Sequence, residues 1–171
     1  LAAYGCAGAL DVTQTLTLAM QRAKLMDETI TTPCALTAII GLDRQQVENL
    51  CRDNAAYIAI VNGPEHFVLG AALPQLDLIE AAAQHQGATR SVRLYVGVAA
   101  HTPLLQGASL RFEAALAASA IRDPRIPVLA GISGAPVRTR ETAIATLAVQ
   151  LSSTLDWLAC MHAAYEMGAR V

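Results

Sequence analysis

Between Cys34 and Val98 the sequence switches repeatedly between strand-like and helix-like patterning, and the order of those switches admits few folds. Cys34–Gly41 (CALTAIIG) is a short apolar run closed by glycine and reads as a strand. Asp43–Asn54 follows as a helix that turns Val47, Leu50 and Cys51 inward. Tyr57–Asn62 is a second strand, Gly63-Pro64 a turn, and His66–Ala71 its hairpin partner. Pro74–His85 predicts a second helix stopped by Gly87, and Thr89–Val98 a last strand. The order β-α-β-β-α-β is the split β-α-β, or ferredoxin-like, arrangement.

The flanking segments pattern differently. Asp11 is a good helix N-cap with Gln14 in capping-box position. Val12, Leu16, Ala19, Met20, Ala23, Met26 and Ile30 recur at helical spacing and predict the buried stripe of a helix that ends at Thr31-Thr32-Pro33. Thr102-Pro103 predicts another N-cap, opening a helix to about Ser119 with Leu105, Ala108, Phe112, Ala115 and Leu116 inward. Ile126–Ile132 (IPVLAGI) is a continuous apolar run suited to a strand buried on both faces. Helices are expected at roughly 139–151 and 155–167. The whole therefore predicts an α/β protein, with residues 1–33 and 99–171 forming an α/β core and 34–98 an inserted ferredoxin-like (βαββαβ) subdomain.

Composition removes several classes of function. A chain of 171 residues with 54% hydrophobic and 15% charged residues has ample material for a core. Net charge is −2 with its lysines and arginines scattered, so no footprint for nucleic acid is present. No apolar run approaches the roughly 18 residues that span a bilayer, and a cytoplasmic location is the expectation. Cys6, Cys34, Cys51 and Cys160 lie far apart without a C-x-x-C or a histidine at zinc-ligand spacing, so no metal site is expected and reduced core thiols are. Leu1-Ala2-Ala3-Tyr4 reads as a helix already under way, and Gly168 as a helix stop before Arg170-Val171 begins a strand. An internal fragment of a longer protein is the expectation.

Two side chains stand out as candidates for chemistry. His101 sits where the last strand of the 34–98 unit hands over to a helix, a junction from which side chains reach into clefts. Position leaves it open between a general base and a satisfied core histidine. His66, His85 and His162 carry only the structural reading. Arg22 falls within the apolar arc of its helix, flanked by Ala19 and Met26 on one side and Leu18 and Leu25 on the other, when stepped at about 100° per residue. Lys24 lies on the polar face, where it can pair with Glu28. A sequestered arginine needs an anionic partner, either a structural Asp or Glu or a substrate carboxylate. No nucleophile elbow accompanies them. Gly107-Ala108-Ser109 and Gly131-Ile132-Ser133-Gly134 both fail G-x-S-x-G, and no glycine-rich phosphate loop is present.

The chain as a whole resembles the malonyl-CoA:acyl-carrier-protein transacylase family. Leu1–Asp11 (LAAYGCAGALD) resembles the segment that follows the family's G-x-S-x-G-E elbow, and Gln21–Met26 (QRAKLM) its R-x-x-x-M helix. Ile60–Gly70 (IVNGPEHFVLG) resembles its N-x-P-x-x-x-V-x-G hairpin, Ala100–Leu105 (AHTPLL) its catalytic-histidine segment, and Gln150–Trp157 (QLSSTLDW) its Q-L-x-x-P-V-x-W segment. Within the family, N-G-P-E-H-F-V, H-T-P-L-L and V-L-A-G-I-S-G-A-P-V look closest to the malonate decarboxylase epsilon subunit.

The resemblance implies an α/β-hydrolase-like acyltransferase core with a ferredoxin-like insertion. It implies transfer of malonyl from malonyl-CoA to the phosphopantetheine-type thiol of an acyl carrier protein, with no bound cofactor and with other malonate decarboxylase subunits as further partners. His101 would be the base for a serine outside this chain. Arg22 would hold the malonyl carboxylate, Gln150 would orient His101 through its backbone carbonyl, and Asn62 would line the acyl or pantetheine channel. Ala100 replaces a common serine and Thr154 a usual proline. The serine elbow and the family's C-terminal glycine-rich region do not appear, so this chain alone is expected not to turn over. A fatty-acid or polyketide synthase acyltransferase is the nearest alternative. A non-catalytic carrier-protein docking fragment is the alternative of another class.

Overall fold

A computed structural model describes residues 1–170; Val171, where a strand was expected to begin, lies outside them. The chain opens with a short helix, α1 (Ala2–Cys6), and a long one, α2 (Val12–Thr29). Asp11 and Gln14 close the capping box at the start of α2 as the sequence predicts. The buried face of α2 shares only Met26 with the expected stripe. Leu18, Leu25 and Met26 are buried, whereas Val12 and Met20 are 77% and 74% exposed and Leu16 is 59% exposed. The reason is tertiary. Helix α2 packs on α1 and on a later helix (Gln106–Ala118) through the Leu18–Leu25 edge, which rotates the predicted stripe outward.

Residues 34–93 fold as patterned. Strand β1 (Cys34–Ile40), helix α3 (Arg44–Asp53), hairpin strands β2 (Tyr57–Gly63) and β3 (His66–Ala72), helix α4 (Leu73–His85) and strand β4 (Arg90–Arg93) follow in order. The strands lie in the order β4-β1-β3-β2, all neighbours antiparallel. That is the split β-α-β arrangement. Asp43 caps α3 in a box with Gln46, and Val47, Leu50 and Cys51 point inward as expected. Phe67, Ile39, Leu69, Leu76 and Ile79 are sealed between sheet and helices. Strand β4 is shorter than the predicted Thr89–Val98 run; Tyr95, Val96 and Gly97 are exposed loop.

A turn then leads through a 3-10 segment (Pro103–Leu105) into α5 (Gln106–Ala118), whose Ala108, Phe112 and Leu116 are buried. The Ile126–Ile132 run does not form a doubly buried strand. Only β5 (Val128–Leu129) pairs, antiparallel to β6 (Pro136–Val137), and Ile126 is 60% exposed. Prolines at 124, 127 and 136 and the glycines at 131 and 134 leave too few residues that can hold a ladder. Helix α6 (Arg140–Val149), strand β7 (Leu155–Asp156) and helix α7 (Trp157–Glu166) complete the fold, α7 ending at Gly168 with φ +93°. A second core gathers Tyr4, Leu10, Leu18, Leu25, Phe112, Leu116 and Leu147 from α1, α2, α5 and α6. Strand β7 joins β2 in parallel, so the larger sheet runs β4-β1-β3-β2-β7. The class is mixed α/β. Cys34, Cys51 and Cys160 are buried, but Cys6 is exposed, against the expectation of four core thiols.

Candidate active site

His101 stands on the turn between β4 and α5, and the turn is strained. Its φ is +63°, a left-handed conformation that costs a non-glycine residue about 1–2 kcal/mol. Contacts from the end of α6 hold it there. The His101 backbone N–H donates to the Leu151 carbonyl at 2.9 Å, and the ring Nδ1 lies 2.5 Å from the Gln150 carbonyl oxygen. A carbonyl can only accept, so Nδ1 carries the proton and Nε2 keeps its lone pair. That is the tautomer a general base requires. The Gln150 side-chain amide is placed elsewhere, over Gly131.

Arg22 and His101 line one cavity of about 320 Å³, together with Leu1, Ala19, Phe112, Leu147 and Gln150. Helix α2 brings the arginine there because its buried edge, not its predicted stripe, faces the core. Among the described residues, no carboxylate lies within ion-pair distance of Arg22. Burial pushes its guanidinium below the usual arginine value. Burial also holds the His101 imidazole below its ordinary value; the hydrogen bond to Gln150 works against that shift, and the Arg22 charge adds to it. A neutral imidazole beside an unpaired cation is an arrangement that can accept a proton while holding an anion.

Comparison with known proteins bears on this geometry. No protein-family model matches the chain. The malonyl CoA-acyl carrier protein transacylase of Haemophilus influenzae is 31% identical over 158 residues, 89% of this chain and 50% of that protein. The malonyl CoA-acyl carrier protein transacylase structure from Coxiella burnetii superposes with a TM-score of 0.92 at 27% identity, over 98% of this chain and 54% of that one. A malonyl-transacylase solved in complex with a type II polyketide synthase acyl-carrier protein superposes equally well, TM-score 0.92 at 25% identity, over 98% of this chain and 57% of that one. The curated relatives it matches include malonyl CoA-acyl carrier protein transacylases, of which it spans about half the length. They also include a non-reducing polyketide synthase of Aspergillus flavus, 28% identical over 82% of this chain and 7% of that protein.

Of the residues singled out in the sequence, the transacylase-like fold brings His101, Arg22 and Gln150 to one cavity. It does not bring Asn62 there. Asn62 lies near the end of β2 with its Nδ2 3.4 Å from His66 Nε2, and it is not among the residues lining the His101 cavity. Thr102 occupies an N-cap position but makes no capping bond; its buried hydroxyl donates to the Ala99 carbonyl at 2.7 Å. Cys34, read from the sequence as an inert core thiol, accepts the Ala99 N–H at 3.2 Å. Only its place at the first residue of β1, opposite the end of the β4 segment, could have hinted at that contact. Lys24 pairs with Glu28 at 3.8 Å as its spacing predicts. Among the described residues no cluster of metal-ligating side chains occurs, and no helix is long and apolar enough to cross a membrane.

Proposed function

We propose that this chain contributes the base and the carboxylate-binding group of a malonyltransferase. The malonyl group would move from malonyl-CoA to the phosphopantetheine-type thiol of an acyl carrier protein. The observation that carries the reading is Arg22: an unpaired, half-buried guanidinium in the same cavity as a histidine whose Nδ1 is already tied down. A half-buried arginine without a carboxylate of its own is costly to keep, and a malonyl carboxylate would satisfy it with a two-pronged hydrogen bond. Acetyl offers no such partner.

In this reading a serine supplied from outside the 171 residues attacks the thioester carbon. His101 Nε2 takes the serine proton as the C–O bond forms, then returns it to the departing CoA thiolate. The malonyl-serine ester is next attacked by the carrier thiol, whose proton passes to His101 and on to the serine oxygen. The Gln150 carbonyl keeps the imidazole in the right tautomer and stabilises the imidazolium that forms. Residues 34–98 act as the inserted subdomain and 1–33 with 99–171 as part of the acyltransferase core. A channel role for Asn62 would require its amide to turn away from His66. The N-G-P-E-H-F-V and H-T-P-L-L segments favour service in a cytoplasmic malonate decarboxylase, as its epsilon subunit among the other subunits, over a fatty-acid or polyketide synthase.

The test is acylation of the full-length gene product by radiolabelled malonyl-CoA, followed by chase onto a carrier protein. Label should appear on the protein and move to the carrier. Arg22→Ala should cut the preference for malonyl over acetyl by about thirtyfold, the worth of one charged hydrogen-bonded contact of roughly 2 kcal/mol. Unchanged preference would remove Arg22 from the reading. Carrier binding without any transfer would favour a docking module instead. Neighbouring genes separate the decarboxylase from the synthases.

A further inference from the structure

We propose that Cys34 and Gly70, both on the sheet of residues 34–93, are positioning residues that seat the turn carrying His101. The proposal rests on the reading of His101 as the base. Two contacts from Gln150 and Leu151, just after α6, fix the His101 ring and backbone, but they hold the turn from one side only. A left-handed residue persists only where its surroundings over-determine it. The opposing side is supplied by the sheet.

Three contacts make that seat. The Ala99 N–H donates to Cys34 Sγ at 3.2 Å, with Ala99 fully buried and Cys34 4% exposed. The Thr102 hydroxyl closes the turn on itself through the Ala99 carbonyl. The Thr102 methyl then rests against the backbone of Gly70. A Cβ at position 70 would lie 2.7 Å from Thr102 Cγ2, 3.0 Å from Leu36 Cδ2 and 3.3 Å from Ala99 Cβ. Gly70 sits within β3 with partners on both sides, Leu36 on β1 and Tyr57 on β2. Glycine weakens a strand interior, and its use there marks a close approach. Here the approaching object is the 99–102 turn. Because Cys34 and Gly70 are locked in one sheet register, they transmit a rigid surface to a turn that lacks regular structure of its own. A displacement of about 1 Å in a reacting group can cost up to roughly a hundredfold in rate, so the seat bears on catalysis rather than on folding alone.

The experiment compares Gly70→Ala, Gly70→Ala with Thr102→Ser, Cys34→Ser and Cys34→Val. In the 171-residue chain, the His101 ring is titrated by NMR and its backbone amide shift recorded. In the full-length gene product, kcat and KM for malonyl-CoA are measured. Gly70→Ala should move the His101 amide and raise its titration toward the ordinary imidazole value, as the ring loses burial next to Arg22. It should lower kcat by about tenfold while KM stays within about twofold. Adding Thr102→Ser removes the 2.7 Å clash and keeps the hydroxyl, leaving only the looser approaches of Leu36 and Ala99, and should reverse most of both changes. Cys34→Ser retains an acceptor for Ala99 and should stay close to the parent, whereas Cys34→Val should behave like Gly70→Ala. An unmoved His101 in Gly70→Ala, or a loss that Thr102→Ser does not reverse, overturns the proposal. If Gly70→Ala fails to fold, the Cys34 pair decides by the same criteria. The titration needs no acyl transfer, so absence of transfer in the parent would count against the malonyltransferase reading alone.

Discussion

Arg93 and Arg22 lie in the two parts of the molecule and are treated in opposite ways. Arg93, on β4, donates to Glu80 at 2.6 Å and Asp77 at 2.9 Å, and those bonds raise its pKa. Arg22, on α2, faces a cavity without a carboxylate among the described residues, and burial lowers its pKa. The same contrast runs through the two cores. The sheet part has a sealed core: four antiparallel strands, extended at one edge by β7, two helices across one face, and Phe67, Leu69, Leu76 and Ile79 fully buried. The helical part keeps Val12, Leu16 and Met20 exposed and builds β5 and β6 from two residues each. The sheet supplies a rigid frame in which Arg93 is paired, whereas the helical part holds in Arg22 a cation with no carboxylate partner among the described residues. A site is assembled where the second kind of surface is braced against the first.

The largest effect that would sharpen this contrast is a cavity in the sheet core. Phe67→Ala should lower the free energy of unfolding by about 3–5 kcal/mol in a denaturant titration. Hydrogen exchange then shows how far the loss spreads: β3 amides should lose more protection than α5 amides. Equal losses would erase the distinction between the two cores. The phase of α2 gives the next largest effect. Leu18→Ala should cost about 2–5 kcal/mol and Leu16→Ala no more than about 0.5 kcal/mol, because the first is 3% and the second 59% exposed. Comparable losses would mean that α2 presents its predicted stripe to the core after all.

The arginines themselves offer a smaller, signed effect. Arg22→Met should leave stability unchanged or raise it by about 1 kcal/mol, since it removes a half-buried charge with no structural partner. Arg93→Met should lower stability by about 1 kcal/mol, the order of an ion pair that is half-buried at Arg93 and Glu80 and open to solvent at Asp77. A marked loss for Arg22→Met would reveal a structural counter-ion and make the two arginines alike. The smallest effect is in pH. His101 is held below its ordinary value when folded, so between the folded and unfolded values the unfolded chain binds more protons. Its contribution to stability is therefore complete above about pH 6.5, the unfolded value, and is lost as pH falls through the folded value. Melting temperature against pH should show this fall in the parent and a shallower one in His101→Asn, a residue that also tolerates the left-handed conformation.

Local signals carried the sequence reading furthest where they agreed with the tertiary fold. Asp11 with Gln14 and Asp43 with Gln46 cap their helices by contacts three residues apart, so no distant neighbour is needed to form them. Strand patterning in residues 34–72 and the capped or stopped helices between them determined the element order of the split β-α-β unit. Periodicity failed on α2 and on residues 126–132. A helix with apolar residues around most of its circumference has no unique inward face until α1 and α5 dock, and an apolar run punctuated by proline and glycine cannot sustain a ladder.

The same division holds for the site. The sequence by itself determined which residue types were available: a histidine after the last strand of the unit, an arginine inside an apolar arc, and no G-x-S-x-G. The tertiary structure decided that Arg22 and His101 share a cavity, that Arg22 has no carboxylate partner among the described residues, and that the Gln150 carbonyl sets the imidazole tautomer. It also decided that Asn62 turns to His66, and that Cys34, which no motif singles out, and Gly70, the closing glycine of the hairpin motif, press against the His101 turn. The physical reason is range. Caps and strand alternation are set by neighbours a few residues away, whereas the His101 turn is held by Leu151 and Gly70, each brought to it by an entire folded segment.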